Sequence, residues 1–231
     1  MDKHKPESVK QQDTEKRSDH VLRITEIFLS LQGESRSVGL PTVFVRLTGC
    51  PLRCQYCDTS YAFSGGEWLS LDDVLEKVRQ YRTKWVTVTG GEPLAQKNCL
   101  ALLTRLCDAG FEVSLETSGA LPVDEVDPRV VKVMDIKTPG SKEQSRNRME
   151  NLSCLQSKDQ IKFVICDEED YRWARDLINS HDLADKCEVL MSPSYGQMNA
   201  AQLAEWILRD NLPVRFQLQL HKILWGDEPG R

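Results

Sequence analysis

The sequence predicts an α/β fold built on a parallel sheet: an incomplete, open β/α barrel, with a doubly wound open sheet as second choice. Three observations carry this. Short runs rich in Val, Ile and Phe recur from Val21 onward. Amphipathic helical stretches lie between several of them, and repeated β-then-α order gives a parallel sheet covered by helices. The ordered part, about 210 residues, falls short of the roughly 250 of a full eight-fold barrel.

In chain order, the strand-like runs are VLRITEIF (21–28), TVFVRLT (42–48), WVTVT (85–89), EVSLET (112–117), VVKVMDI (130–136), IKFVI (161–165), CEVLM (187–191) and RFQLQL (215–220). The first helix is LSLDDVLEKVRQYR, with Ser70 as N-cap and acids in its first turn. The second, LAQKNCLALLTRLCDAG, stops at Gly110. EEDYRWARDLINSH and NAAQLAEWILRDN are two more. Residues 138–160 are polar and turn-rich and are expected to form a long loop with one helical turn. Residues 1–20 hold one aliphatic residue, Val9, and are expected to be a disordered tail, leaving 21–231 as one catalytic domain. No internal repeat is visible.

Composition narrows the function classes. The chain has 231 residues, 40% hydrophobic and 28% charged, an ordinary globular balance. A net charge of −5 gives no electrostatic case for nucleic acid or for a membrane surface as partner. The N-terminus lacks the apolar stretch of a signal peptide, and no run approaches a membrane span. A reducing cytoplasm is the expected compartment, and there clustered cysteines mean metal or catalysis. Of the eight cysteines, Cys99, Cys107, Cys154, Cys166 and Cys187 are scattered and read as small core residues.

The other three are clustered in GCPLRCQYCDT, at Cys50, Cys54 and Cys57. They follow the strand 42–48, at the sheet edge where α/β sites collect. Structural zinc wants four protein ligands, and none of His4, His20, His181 and His221 is near in sequence. A thioredoxin-type pair uses Cys54 and Cys57 and leaves Cys50 unexplained. An iron–sulfur cubane held by three thiolates keeps one iron open to a ligand from outside the protein. A second motif, WVTVTGGEP, ends a strand in bare backbone at Gly90 and Gly91, which lets a ligand approach, with Glu92 beside it.

Cys-x3-Cys-x2-Cys, with Tyr56 before its last cysteine, resembles the cluster loop of the radical S-adenosylmethionine (SAM) enzymes, and GGEP resembles their second motif. The resemblance implies a partial barrel of the radical SAM type and a [4Fe–4S] cluster whose open iron is chelated by SAM. One electron then cleaves SAM to methionine and a 5′-deoxyadenosyl radical, which takes a hydrogen from the substrate. Within that superfamily, the order of LQGES, CDT, ETSG and HKIL over residues 24–225 resembles the 7-carboxy-7-deazaguanine synthases of queuosine biosynthesis.

Several expectations follow from that resemblance. The reaction is ring contraction of 6-carboxy-5,6,7,8-tetrahydropterin to 7-carboxy-7-deazaguanine with loss of ammonia. Leu31, Gln32 and Gly33 line the pterin site, Arg46 pairs with the substrate carboxylate, and Thr89 touches the substrate. Glu116 and His221 are further candidates, and Thr59 coordinates Mg2+. SAM meets Tyr56, Cys57, Asp58, Gly91, Asp135, Ile136, Lys137, Ser192, Pro193 and Ser194. A homodimer and a flavodoxin or ferredoxin as reducing partner are implied in the same way.

From residue type alone, the same positions have plainer readings. Gln32 caps a turn, Thr59 is an N-cap, Glu116 belongs to a buried ion pair, and His221 is a hydrogen-bonded core histidine in an alternating run. The sequence also departs from the family pattern. It reads DIK for SPK, MSPS for QP, and LQGES for LQGEG, which stiffens the loop at Ser35, and it runs past HKIL into WGDEPGR. The alternatives are an activase for a glycyl-radical enzyme, which needs no pterin site, and a non-catalytic cysteine-based metal-binding or redox module.

Overall fold

A computed structural model describes residues 20–226, 228 and 230. The tail expected at residues 1–20 thus lies outside the described residues except for His20. Among the described residues nine strands form one sheet: β1 (Val21–Leu31), β2 (Pro41–Leu47), β3 (Glu67–Ser70), β4 (Trp85–Gly90), β5 (Glu112–Thr117), β6 (Val131–Asp135), β7 (Gln160–Ile165), β8 (Glu188–Pro193) and β9 (Arg215–Phe216). Their order is β3-β1-β2-β4-β5-β6-β7-β8-β9. From β2 to β9 every neighbouring pair is parallel. Among the described residues no pairing joins β3 to β9, so the barrel is open, as expected. The helices are α1 (Leu71–Arg79), α2 (Cys99–Asp108), α3 (Glu168–Ser180), α4 (Leu183–Lys186), α5 (Ala200–Arg209) and α6 (Leu220–Trp225). No helix among the described residues is long and apolar enough to cross a membrane.

Polar caps start the helices where the sequence placed them. Ser70 Oγ accepts from the Asp73 N–H at 3.1 Å, and the Asp73 carboxylate accepts from the Ser70 N–H at 3.3 Å, a reciprocal capping box. Asp167 and Asn199 cap α3 and α5 with one bond each, accepting from the Asp170 and Gln202 N–H groups. Gly110 follows α2 with φ +86°, the left-handed geometry expected of it.

Three expectations change. The first strand does not join the parallel set: β1 is antiparallel to β2 and carries β3 antiparallel on its other edge. The link 32–40 is too short for a crossover helix, and it closes as a hairpin through Gln32 N–H to Leu40 O at 2.9 Å. The run 215–220 pairs only at Arg215–Phe216. Beyond it, the buried Gln217 amide turns to the 32–35 loop, accepting from Ser35 N–H at 2.7 Å and donating to Ser35 O at 2.8 Å. The chain then enters α6. Finally, 138–160 holds three short 3₁₀ turns where one helical turn was expected.

Strand pleating decides what faces the helices. In β4, Val86 and Val88 pack with α1 and α2 residues such as Val74, Leu102 and Leu106. In β7, Ile161, Phe163 and Ile165 pack with Tyr171, Ala174 and Ile178 of α3. Full burial of each large aliphatic or aromatic side chain contributes about 1.5–3 kcal/mol. The alternate residues point the other way. Phe44, Arg46, Thr89, Glu116, Val133, Asp135, Lys162 and Val164 all line one cleft on the face opposite the helices.

Candidate active site

The cleft has a volume of about 440 Å³, and Cys50, Cys54 and Cys57 all line it. All three are free thiols and half-buried. They lie in the loop after β2, which is fastened on several sides. The Gly49 N–H donates to Ala62 O at 2.8 Å, Cys57 N–H to Cys54 O at 3.1 Å, and Gln55 N–H to Ser141 O at 3.1 Å. Arg53 folds its guanidinium over the loop. Its Nη1 donates to Cys50 O at 2.7 Å and Leu52 O at 2.6 Å, and its charge lies 4.2 Å from the Phe63 ring centre. Burial pushes the Cys54 thiol up to about 11, with nearby Lys137 working against the rise, and burial also raises Cys50. Among the described residues, no three His, Cys, Asp or Glu side chains converge as a single ion requires. A cubane places each thiolate on its own iron and does not ask for that convergence. Three accessible thiols on one tethered loop fit such a cluster.

The glycines of GGEP serve the cysteine loop directly. A Cβ on Gly90 would lie 2.6 Å from Leu47 O, and one on Gly91 would lie 2.2 Å from Gly49 O and 2.8 Å from Cys50 Cβ. Backbone contact between β4 and the cysteine loop therefore demands glycine, a tighter reason than ligand approach alone. Both glycines line the cleft. Glu92, expected to assist a ligand, is fully buried off the cleft wall. Its carboxylate accepts from Leu94 N–H, Thr117 Oγ1, Ser118 N–H and Ser118 Oγ at 2.6–3.1 Å, so it ties β4 to β5.

Of the residues expected around SAM, Tyr56, Cys57, Asp58, Gly91, Asp135, Lys137 and Ser194 line the cleft. Ile136, Ser192 and Pro193 do not. Ile136 packs into the core with Met134 and Leu152, and Ser192 and Pro193 are buried at the end of β8. Five buried side-chain polar atoms among the described residues lack a hydrogen-bond partner, and three of them are Tyr56 Oη, Asp135 Oδ1 and Ser192 Oγ. Each orphan costs about 1–3 kcal/mol, and two of these residues, Tyr56 and Asp135, line the cleft, where a polar ligand can satisfy them. Lys137 Nζ lies 3.0 Å from Asp135 Oδ2 and 5.6 Å from the Tyr56 ring centre. Burial opposes its charge, but Asp135 together with Cys54 and Cys57 holds Lys137 above the ordinary lysine value.

The residues expected around the substrate, Leu31, Gln32, Gly33, Arg46 and Thr89, line the same cleft. Gln32 Nε2 donates to Thr87 Oγ1 and to Glu116 Oε1, both at 3.2 Å, and Thr89 Oγ1 donates to Glu116 Oε2 at 3.4 Å. Burial raises the Glu116 carboxyl, and Glu34 adds to the rise while Lys162 and Gln32 oppose it. Arg46 is already paired, its Nε 2.6 Å from Glu26 Oε1, which also accepts from Tyr61 Oη at 2.7 Å. The guanidinium has five N–H donors, so this pairing leaves others for a ligand. A Cβ on Gly33 would lie 2.2 Å from His221 Nδ1, so this glycine seats α6 against the cleft.

His221 therefore sits in the first turn of a helix, not in a strand core, and lines the cleft. Its Nε2 is 4.0 Å from Asp58 Oδ2, and Lys222 Nζ is 3.6 Å from the same oxygen. Thr59 precedes a 3₁₀ turn without capping it. Its Oγ1 donates instead to Asp58 Oδ1 at 2.7 Å. Burial in the cleft disfavours the Asp58 charge, but His221, Thr59 and Lys222 together hold its carboxyl well below the usual carboxylate range.

Among the cleft residues that sequence reasoning missed are the polar side chains of Glu34, Lys162, Gln219 and Lys222. Lys162 pairs with Glu34 and lies 3.4 Å from Asp135, and Gln219 Nε2 donates to Glu34 Oε1 at 2.6 Å. A lysine inside the apolar run IKFVI was a readable signal, since a lysine is rarely buried without a partner. The scattered cysteines also divide. Cys99 and Cys187 are buried as expected, while Cys107, Cys154 and Cys166 are half-buried, Cys166 lying 3.7 Å from Gln55 Nε2 of the cysteine loop.

Comparison with known proteins agrees with this geometry. Residues 44–135 match the Radical SAM superfamily model. A 7-carboxy-7-deazaguanine synthase from Chlorobaculum tepidum is 45% identical over 90% of this chain and 96% of its own. Another, from Koribacter versatilis, is 43% identical over 90% and 98%. The crystal structure of QueE from Escherichia coli superposes with a TM-score of 0.74 over 94% of this chain and all of that one, at 24% identity, which shows the shared fold. Radical SAM membership implies a [4Fe–4S] cluster and SAM, and the cysteine loop fits the cluster. With matches of this depth along nine-tenths of its length, the chain belongs to the 7-carboxy-7-deazaguanine synthase family of radical SAM lyases.

Proposed function

We propose that this enzyme contracts 6-carboxy-5,6,7,8-tetrahydropterin to 7-carboxy-7-deazaguanine with loss of ammonia, in a Mg2+-dependent radical SAM reaction. One observation carries the reading. A single cleft is lined by Cys50, Cys54 and Cys57 together with Gln32, Arg46 and Glu116. Its volume suits one cofactor and one small substrate in contact, within the roughly 300–1,000 Å³ of ligand pockets. The names of the matching relatives support the product.

In this reading Cys50, Cys54 and Cys57 hold the cluster. Tyr56, Asp58, Gly91, Asp135, Ile136, Lys137 and Ser192 to Ser194 hold SAM, the buried members through backbone groups at the strand ends. Bound together, the cluster and SAM supply a hydrogen-abstracting radical. The chain's own side chains do the positioning. Gln32 can both donate and accept at a pterin edge once its amide exchanges its bonds to Thr87 and Glu116 for the ligand, and Glu116 accepts from the ring's N–H groups. Arg46 meets the carboxylate with the N–H groups that Glu26 leaves over. Leu31, Gly33 and Thr89 shape the pocket, and His221 closes it from α6. Thr59 supplies a hard oxygen to Mg2+, beside an Asp58 that stays ionised. The electron comes from a flavodoxin or ferredoxin, and the working unit is a homodimer.

The test is anaerobic turnover of the reconstituted, reduced protein with SAM, Mg2+ and the tetrahydropterin, read by mass spectrometry. Appearance of 7-carboxy-7-deazaguanine is the expected result. SAM cleavage with the pterin untouched would remove the substrate assignment and leave the cluster assignment standing.

A further inference from the structure

The chain is acidic overall, at −5, yet the ground beside the cysteine loop is basic. Segment 141–148 packs against that loop, Ser141 O accepting from Gln55 N–H at 3.1 Å. It carries Lys142, Arg146 and Arg148, all exposed. Arg53, from the loop itself, is exposed as well, and its guanidinium is held by two carbonyls and a ring rather than by a carboxylate. Among the described residues none of these four cations forms an ion pair. The one acid inside 142–148, Glu143, instead accepts the backbone N–H of Arg53 at 2.5 Å. Four of the five arginines on α1 to α6 behave differently, Arg79 being the exception. Arg105, Arg172, Arg175 and Arg209 each sit on an Asp or Glu. None of the four rim cations lines the cleft, so the substrate reading makes no use of them.

We propose that Arg53, Lys142, Arg146 and Arg148 form the docking surface for an acidic protein that carries one electron. The inference rests on the reading that such a carrier reduces this enzyme. Cleaving SAM takes one electron from outside the chain. The carrier is oxidised by one electron, the sulfonium is reduced, and its C5′–S bond breaks to methionine and the carbon radical that abstracts hydrogen. That electron must arrive where Cys50, Cys54 and Cys57 are, and this rim is the outer wall of their loop. Unpaired cations there raise the local concentration of an acidic partner and orient it. Electrostatic steering of this kind changes association rates by about 10- to 1,000-fold and weakens with ionic strength.

The test uses the full chain with reconstituted cluster and counts 5′-deoxyadenosine, so it is independent of the pterin assignment. Two electron sources are compared: an acidic flavodoxin reduced by its own reductase, and dithionite. Arg53 stays in place because it braces the loop. The triple variant Lys142→Glu, Arg146→Glu, Arg148→Glu is expected to slow flavodoxin-driven cleavage by about tenfold or more at low salt. Its dithionite-driven rate should stay within about twofold, and the salt dependence of the flavodoxin rate should flatten. Equal slowing with both sources, or with neither, would overturn the proposal. Loss of transfer RNA binding with the flavodoxin rate unchanged would also overturn it, in favour of a nucleic-acid surface. Should the reversed variant load less iron, the glutamine triple at the same positions carries the same comparison, with a smaller expected loss.

Discussion

Ser35 holds a backbone φ of +67°, a region that costs an L-residue on the order of 1 kcal/mol. A non-glycine residue here is expected to stiffen the loop, and the geometry gives the reason. Gln217 grips both backbone groups of Ser35, and the Ser35 hydroxyl lies 3.0 Å from that of Ser37. Ser35→Gly keeps the backbone bonds and relieves the angle, so it should raise stability by up to about 1 kcal/mol in a denaturant titration. Cys50→Ala, Cys54→Ala or Cys57→Ala should each abolish iron loading and SAM cleavage, checked by iron per chain after reconstitution. Retained loading in any one would end the ligand assignment. Thr59→Ala should weaken the Mg2+ response of turnover and leave SAM binding nearly intact. Residues of this kind were legible because their chemistry is local in the chain: three thiols in eight positions, or a serine three before an aspartate. Gln217 and Gln219 were not legible, because their partners Ser35 and Glu34 lie more than 180 residues away and no local pattern links them.

At the scale of elements, the alternation of β and α placed β4 to β8, α3 and α5 within two residues. By contrast, α1 ends at Arg79, three residues before the expected Arg82, and α2 starts at Cys99, five residues after the expected Leu94, because a 3₁₀ turn at Pro93–Ala95 fills the gap. The alternation also misjudged both ends of the sheet. A hairpin and a parallel crossover use the same apolar strand, and only the length of the link separates them. Likewise QLQLHK alternates like a strand, but pairing with β8 stops at Phe216 and the Gln217 side chain bonds the Ser35 backbone instead. The contact between β4 and the cysteine loop gives a test at this scale. Gly91→Ala puts a methyl 2.2 Å from Gly49 O, so the loop must shift while the sheet stays paired. Iron loading should fall severalfold with the circular dichroism spectrum unchanged. Full loading would mean that the loop tolerates displacement.

Across the whole molecule, one buried string of charges lines the cleft. Gln219 reaches Glu34, Glu34 pairs with Lys162, Lys162 reaches Asp135, and Asp135 pairs with Lys137. Removing one member of a buried pair leaves the other uncompensated, so Lys162→Met should cost about 3–5 kcal/mol of stability. The pH dependence has a definite sign. Burial works against the Asp135 charge, but Lys137 and Lys162 outweigh it and lower its pKa. Its contribution to stability is therefore present above the ordinary aspartate value, about 3.9, and fades as pH falls through the lower folded value. In Lys162→Met that acid-side loss should shrink, which denaturant midpoints measured across that range would show. The sheet is also a single open layer, with a border strand at each side. Both borders are short, four residues in β3 and two in β9, and Arg215 is exposed on the latter. A border that short offers few unpaired amide groups to a foreign strand. The protein can thus keep its cavity accessible without presenting a template for aggregation between sheets.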